Sequence, residues 1–186
     1  MRGPFRIVAY VIASADGMIA DKTGLHPKSL KLEADQRFFE QGLDRAAVVA
    51  HGRNSHEAQP NSPRRRRLIL TRKVAGLAPD PDNANARFWN PAGASLEEAC
   101  GAVGCRSGTV AVIGGPEVYR YFLKLGYDDF YLSRAVKVKL RGGVPLFSEG
   151  RLGRSPEDIL AAAGLKAGKT QLLDDEVSLV EWTPQP

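Results

Sequence analysis

Apolar runs and amphipathic stretches alternate along almost the whole chain. Phe5 to Ala13 (FRIVAYVIA) is a long apolar run and predicts a first strand. Ala46 to Ala50 (AAVVA), Leu68 to Thr71 (LILT) and Val110 to Ile113 (VAVI) are shorter runs of the composition buried on both faces of a sheet. Asp129 to Val138 alternates and predicts a longer strand, and Arg87 to Trp89 a short one. Between them lie helical patterns. One covers Leu30 to Gly42, with Ser29 as its cap and Gly42 at the stop position. A second begins at the Ser95–Glu98 capping box and ends near Val103. A third opens at Pro116-Glu117 with Val118, Phe122 and Leu123 on one side, and a fourth runs from Ser155 to Gly164. Asn54 to Ala58 reads as a short helix start, Lys73 to Asn85 as irregular chain and GGVPLF as a turn. Gln171 to Leu173 and Val177 to Trp182 predict a terminal antiparallel hairpin.

This alternation predicts an α/β fold: a central, mostly parallel sheet with helices on both faces and a C-terminal antiparallel hairpin. No repeat or linker divides residues 1–186, so a single domain is expected. In such a sheet, ligands gather beyond the carboxyl ends of the strands. Three strands end there in suggestive turns, AAVVA-HGR, LIL-TRK and AVI-GGPE.

Composition narrows the chemistry. A net charge of +5 favours anionic partners such as phosphorylated cofactors. No apolar segment is long enough for a membrane span, and the N-terminus lacks the pattern of a signal peptide. Cys100 and Cys105 are too few for a disulfide framework, which fits a reducing cytoplasm and free thiols. Arg64 to Arg67 has no interleaved aromatics to stack bases, so a solvated loop is favoured over nucleic-acid binding. His51 and His56 are not spaced as metal ligands and read as ordinary surface histidines, so no metal is expected. No nucleophile motif appears.

The turn at Gly114-Gly115 leads a buried strand into a helix. It leaves backbone N–H groups with no side chain in front of them, a setting for a pyrophosphate. A tight turn without a ligand explains the same residues equally well. Gly52-Arg53-Asn54-Ser55 and Thr71-Arg72-Lys73 add N–H groups, hydroxyls and guanidinium forks after two other strands. Each is weak alone, and the coincidence of three points to a dinucleotide with an extra phosphate. On the first helix, Asp35 lies three residues after Leu32, three before Phe38 and four before Phe39, so it projects from the apolar side. A carboxylate there is costly to desolvate without a partner. It reads either as an acid awaiting a ligand with adjacent N–H donors or as a stripe-edge Asp bonded to backbone.

In order, SADGMIA (Ser14 to Ala20), a helix carrying an Asp, VVAHGRNSHE (Val48 to Glu57), LILTR, VIGGPEVY and DDFYLSR resemble the dihydrofolate reductase-like superfamily. SADGMIA and GGVPLF look most like the reductase domain of riboflavin biosynthesis. The resemblance covers nearly the whole chain. It implies a central eight-stranded, mostly parallel sheet, an NADPH cofactor and hydride transfer to a (ribosylamino)pyrimidine-like heterocycle. The alternatives are a dihydrofolate or pteridine reductase and a nucleotide-binding protein without turnover. Carried across, cofactor contacts fall on Ala13, Ile19, Gly52, Arg53, Ser55, Thr71, Arg72, Ile113, Gly114, Gly115, Pro116, Glu117 and Val118. Substrate contacts fall on Asp16, Asp35 and Phe39, with Asp35 as the catalytic acid. The loop holding Asp16 and Ile19 matches the segment that closes over the nicotinamide. Ser55 stands where Thr is commoner, and His51 where an apolar residue or Gly is usual. The metal-binding deaminase often fused to riboflavin reductases leaves no HxE or PCxxC here. A homodimer agrees with the family, but no feature of the sequence fixes it.

Overall fold

The computed structural model describes residues 3–55 and 57–186. In chain order the strands are β1 (Phe5–Ser14), β2 (Met18–Ala20), β3 (Val48–Gly52), β4 (Arg67–Leu70), β5 (Leu77–Pro79), β6 (Ala86–Trp89), β7 (Gly108–Val112), β8 (Asp129–Ala135), β9 (Val144–Pro145), β10 (Leu165–Ala167), β11 (Gln171–Leu172) and β12 (Val177–Pro184). The α-helices are α1 (Glu33–Arg45), α2 (Leu96–Ala102), α3 (Pro116–Leu125) and α4 (Pro156–Ala162).

Ten strands form one twisted sheet in the order β10-β12-β8-β1-β7-β3-β4-β6-β5, with β11 on β12. Neighbours from β8 to β6 are all parallel, while β5 and the C-terminal strands are antiparallel. The resemblance implies eight strands; short edge segments such as β5 and β11 account for the larger number. β5 also lies within the stretch that the sequence pattern leaves irregular.

Period-two alternation in the central strands sends side chains to opposite faces. Ile7, Ala9, Val48, Ala50, Val110 and Val112 face α2, α3 and α4 through Cys100, Phe122 and Leu160. Val49, Ala111 and Ile113 face the other way, against Leu43 and Phe39 of α1. Helices therefore cover both faces, and among the described α-helices α1 covers the second face, over β1, β3 and β7.

Several elements depart from the sequence pattern. Ser29 caps nothing: Lys28–Leu30 is a 3₁₀ turn, and α1 starts after Leu32 with no side-chain cap. Gly42 does not stop α1, which continues to Arg45; the glycine is buried where the helix crosses the Tyr10 ring. No helix forms around Asn54 to Ala58, which is turn and irregular chain on either side of position 56, itself outside the described residues. β8 ends at Ala135 rather than Val138, because the backbone leaves the sheet there for a loop back to Ala15. Within GGVPLF, Val144 and Pro145 form β9, paired with β2. The Arg64–Arg67 run is only half solvated. Arg64 and Arg66 are exposed, but Arg65 and Arg67 are buried and both bond the buried Glu57. The capping boxes at Ser95 and Ser155 and the β11–β12 pairing form as the pattern predicts. No helix among the described residues is long and apolar enough to cross a membrane.

Candidate active site

A cavity of about 1460 Å³ opens beyond the carboxyl ends of β1, β3, β4 and β7. That exceeds the usual volume for one small ligand and leaves room for two. Two of its walls differ in chemistry.

The first wall is made of turns. β3 delivers Gly52, Arg53 and Ser55; β4 delivers Thr71 and Arg72; β7 delivers Ile113 and, beyond it, Gly114 to Val118 at the start of α3. The turns touch one another. Gly52 N–H donates to Gly114 O at 2.7 Å, and a Cβ placed on Gly115 would sit 3.2 Å from Ser55 Oγ. Gly114 has φ +117°, in the range that favours glycine, and the Gly114–Gly115 peptide is cis. Pro116, which has no N–H of its own, opens α3 against the cavity, and the Val118 and Tyr119 N–H groups both donate to Gly115 O at 3.0 Å. Arg53 and Arg72 are exposed at the rim. Close-packed glycines, a helix N-terminus and two guanidinium groups fit a dinucleotide with an additional phosphate.

The second wall comes from α1 and β8. Asp35 is 8% exposed although it lies in the first turn of its helix. Burial pushes its carboxyl up to about 6, partly offset by the hydrogen bond donated by the Ser133 hydroxyl. Ser133 is buried on β8. Tyr119 of α3 lies close enough for the Asp35 charge to raise its own phenol further above a pKa already lifted by burial. Its hydroxyl donates to Tyr10 O at 2.7 Å. Phe38, Phe39, Tyr10 and Tyr131, all half-buried, complete an aromatic wall.

Ile19, Asp35, Phe39, Gly52, Arg53, Ser55, Thr71, Arg72 and Ile113 to Val118 thus line one cavity. Two sequence-named residues do not. Ala13 is fully buried in the core on the α3 side. Asp16 borders a separate cleft of about 270 Å³ beside Arg134 and Pro156. Its Oδ1 accepts from Ser14 Oγ at 2.5 Å and from Leu140 N–H at 3.0 Å. Burial opposes its ionisation, but these bonds outweigh burial and hold the carboxyl below the ordinary range. Asp16 fastens the β1–β2 turn to the loop after β8 instead of facing the large cavity.

His51 is not a surface residue: it is 2% exposed, with Nδ1 2.7 Å from Gly52 O. His56 lies outside the described residues. Cys100 and Cys105 are buried free thiols, and burial pushes Cys100 up to about 12. The sequence reading missed Ser133, Tyr119 and Tyr131. The signal for Ser133 was a small polar residue two positions from Tyr131 on a strand that otherwise buries that face.

No protein-family model matches this chain, and no curated protein sequence matches it. Solved structures do. This architecture, with its cleft between α1 and the strand-end turns, is the dihydrofolate reductase-like fold. A protein assigned to riboflavin biosynthesis from Shewanella sp. PV-4 superposes with TM-score 0.67 at 18% identity, over 97% of this chain and 99% of the other. A diaminohydroxyphosphoribosylaminopyrimidine deaminase/5-amino-6-(5-phosphoribosylamino)uracil reductase from Thermotoga maritima gives 0.66 at 20%, over 99% of this chain and 57% of the other. This chain therefore spans little more than half of that bifunctional protein. Dihydrofolate reductase from Enterococcus faecalis, complexed with NADP(H) and RAB-propyl, gives 0.61 at 16%, over 96% and 95%.

Proposed function

We propose that the chain is an NADPH-dependent reductase acting on a small nitrogen heterocycle. The observation that supports this most directly is the facing of the two walls. Three phosphate-suited turns and one buried acid share a cavity large enough for a dinucleotide and a second ligand. When bound, the dinucleotide supplies the hydride; the protein supplies alignment, water exclusion and a proton route. Asp35 and Ser133 together offer a carboxyl and a hydroxyl to a ring edge with adjacent N–H donors, the edge of an aminopyrimidine or a pterin. With its pKa near 6, Asp35 holds a proton over part of the neutral range and can assist protonation at the reduced centre, directly or through water.

Among such rings, a (ribosylamino)pyrimidine of the riboflavin-biosynthesis type is the leading substrate, on the SADGMIA and GGVPLF segments and on two of the structural likenesses. Reduction of a pteridine is the second reading, favoured by the Asp35–Ser133 pair. The test is a titration with NADPH and NADH, followed by cofactor oxidation with a panel of aminopyrimidines and pteridines. Saturable NADPH binding with turnover of one ring class supports the proposal, and absence of heat with either dinucleotide overturns it.

A further inference from the structure

α1 carries Gly42 in its interior, where glycine is less favourable than alanine. It is buried, and its φ is not in the left-handed range, so no turn demands it. What it permits is contact. A Cβ at this position would fall 2.7 Å from the Tyr10 hydroxyl oxygen and closer still to Cζ and Cε1 of that ring.

Three aromatic side chains hold the Tyr10 ring in place. It stacks on Tyr131 with centroids 5.3 Å apart and planes 21° apart, while Phe38 and Phe39 flank it at 5.9 and 6.4 Å. Tyr131 is itself held, donating its hydroxyl to Glu181 Oε1 at 2.8 Å. The ring is thus a spacer between α1 and β8. Both elements carry a partner of the proposed acid pair nearby. Asp35 lies seven residues before Gly42, two helical turns along the same side, and Ser133 lies two residues after Tyr131 on the same strand face.

We propose that Gly42 is a positioning residue: by leaving room for the Tyr10 ring, it seats α1 at the depth where the Asp35 carboxyl meets Ser133. The inference rests on the reading of Asp35 as the acid of the substrate compartment, but its test does not need turnover. Asp35 feels its own desolvation and the Ser133 hydroxyl of β8, and its charge in turn reaches the Tyr119 phenol of α3, so its titration reports its depth.

The Asp35 carboxyl is followed by ¹³C NMR on the full chain and assigned with D35N. In the parent protein the midpoint is expected at about 6. In G42A the added methyl lifts the helix from the ring, and the midpoint falls by about one unit as water reaches the carboxyl. Truncating the ring in the same chain, Y10L/G42A, brings it back. Unchanged near-ultraviolet circular dichroism in both variants shows that the shift does not come from loss of the fold. If G42A does not fold, Y10W places the added volume on the other side of the same contact and lowers the midpoint likewise. An unshifted midpoint in the crowded variant, or one that the shorter side chain fails to restore, overturns the proposal. Failure of the parent protein to bind NADPH would instead overturn the reductase reading alone.

Discussion

Ser133 on β8 donates its hydroxyl to the carboxyl of Asp35 on α1, with the two side chains 2% and 8% exposed. Desolvation acts against the charged form more strongly than this one bond supports it, so the acid keeps its proton to a higher pH than an exposed aspartate. If the protonated form assists reduction, the rate is highest at low pH and declines as pH rises through about 6. D35N removes that dependence and lowers kcat by about 10²-fold, with NADPH affinity retained. Steady-state pH profiles of both proteins check this. An unchanged kcat in D35N would show that Asp35 has no part in the chemistry.

The same raised pKa has a consequence for stability. The folded protein holds the Asp35 proton to about 6, whereas the unfolded chain releases it near the ordinary value of 3.8. The folded state is therefore penalised as pH rises through that interval, and the penalty is complete above it. It amounts to about 2–3 kcal/mol. D35N escapes it, so its stability relative to the parent protein improves between pH 4 and pH 7. Paired urea melts across that range, read as the difference between the two proteins, test the sign.

How far the sequence carried is clearest at individual residues. Gly114-Gly115 and Asp35 were legible because local rules constrain them: a strand-to-helix turn needs residues without side chains, and helical spacing assigns a face. Ser133 was not, because a serine in a strand reveals its role only when register sets it opposite Ile12 and beneath α1. Gly42 was misread as a helix stop, since a glycine required by a neighbouring ring and one required by a positive φ look alike in sequence. The resemblance assigns Asp16 to the substrate, whereas its Oδ1 accepts from Ser14 Oγ and from the N–H of Leu140, more than a hundred residues away. Each of these three positions has a partner distant in sequence, Ile12 for Ser133, Tyr10 for Gly42 and Leu140 for Asp16.

The arginine run supplies a prediction that separates buried from solvated charge. Glu57 accepts from Arg65 at 2.8 Å and from Arg67, and Arg65 also reaches Asp44 at 2.6 Å. Burial raises the Glu57 carboxyl, but Ser62 and the two guanidinium groups more than reverse this, so it remains ionised. E57A leaves two buried arginines short of a counter-charge and costs about 3–5 kcal/mol, which lowers Tm by roughly 10 °C. R64A and R66A remove exposed charges from the same run and change stability by less than about 0.5 kcal/mol. Thermal melts of the three variants distinguish the cases. Equal losses would place all of these arginines in solvent.

The rim arginines carry a prediction about which dinucleotide is preferred. Arg53 follows β3 and Arg72 follows β4, and both line the cavity from exposed positions. A nicotinamide dinucleotide without the additional phosphate offers these groups one fewer dianion to fork. R53A and R72A are each expected to weaken NADPH binding about tenfold, equivalent to about 1.4 kcal/mol, and to leave NADH binding unchanged. Since the contacts are exposed, the parent preference for NADPH should shrink as salt rises, while the variants show a flatter salt dependence. Calorimetric titration of both dinucleotides at two ionic strengths measures this directly. If either variant weakens NADH as much as NADPH, its arginine acts on the turn's conformation and not on a phosphate.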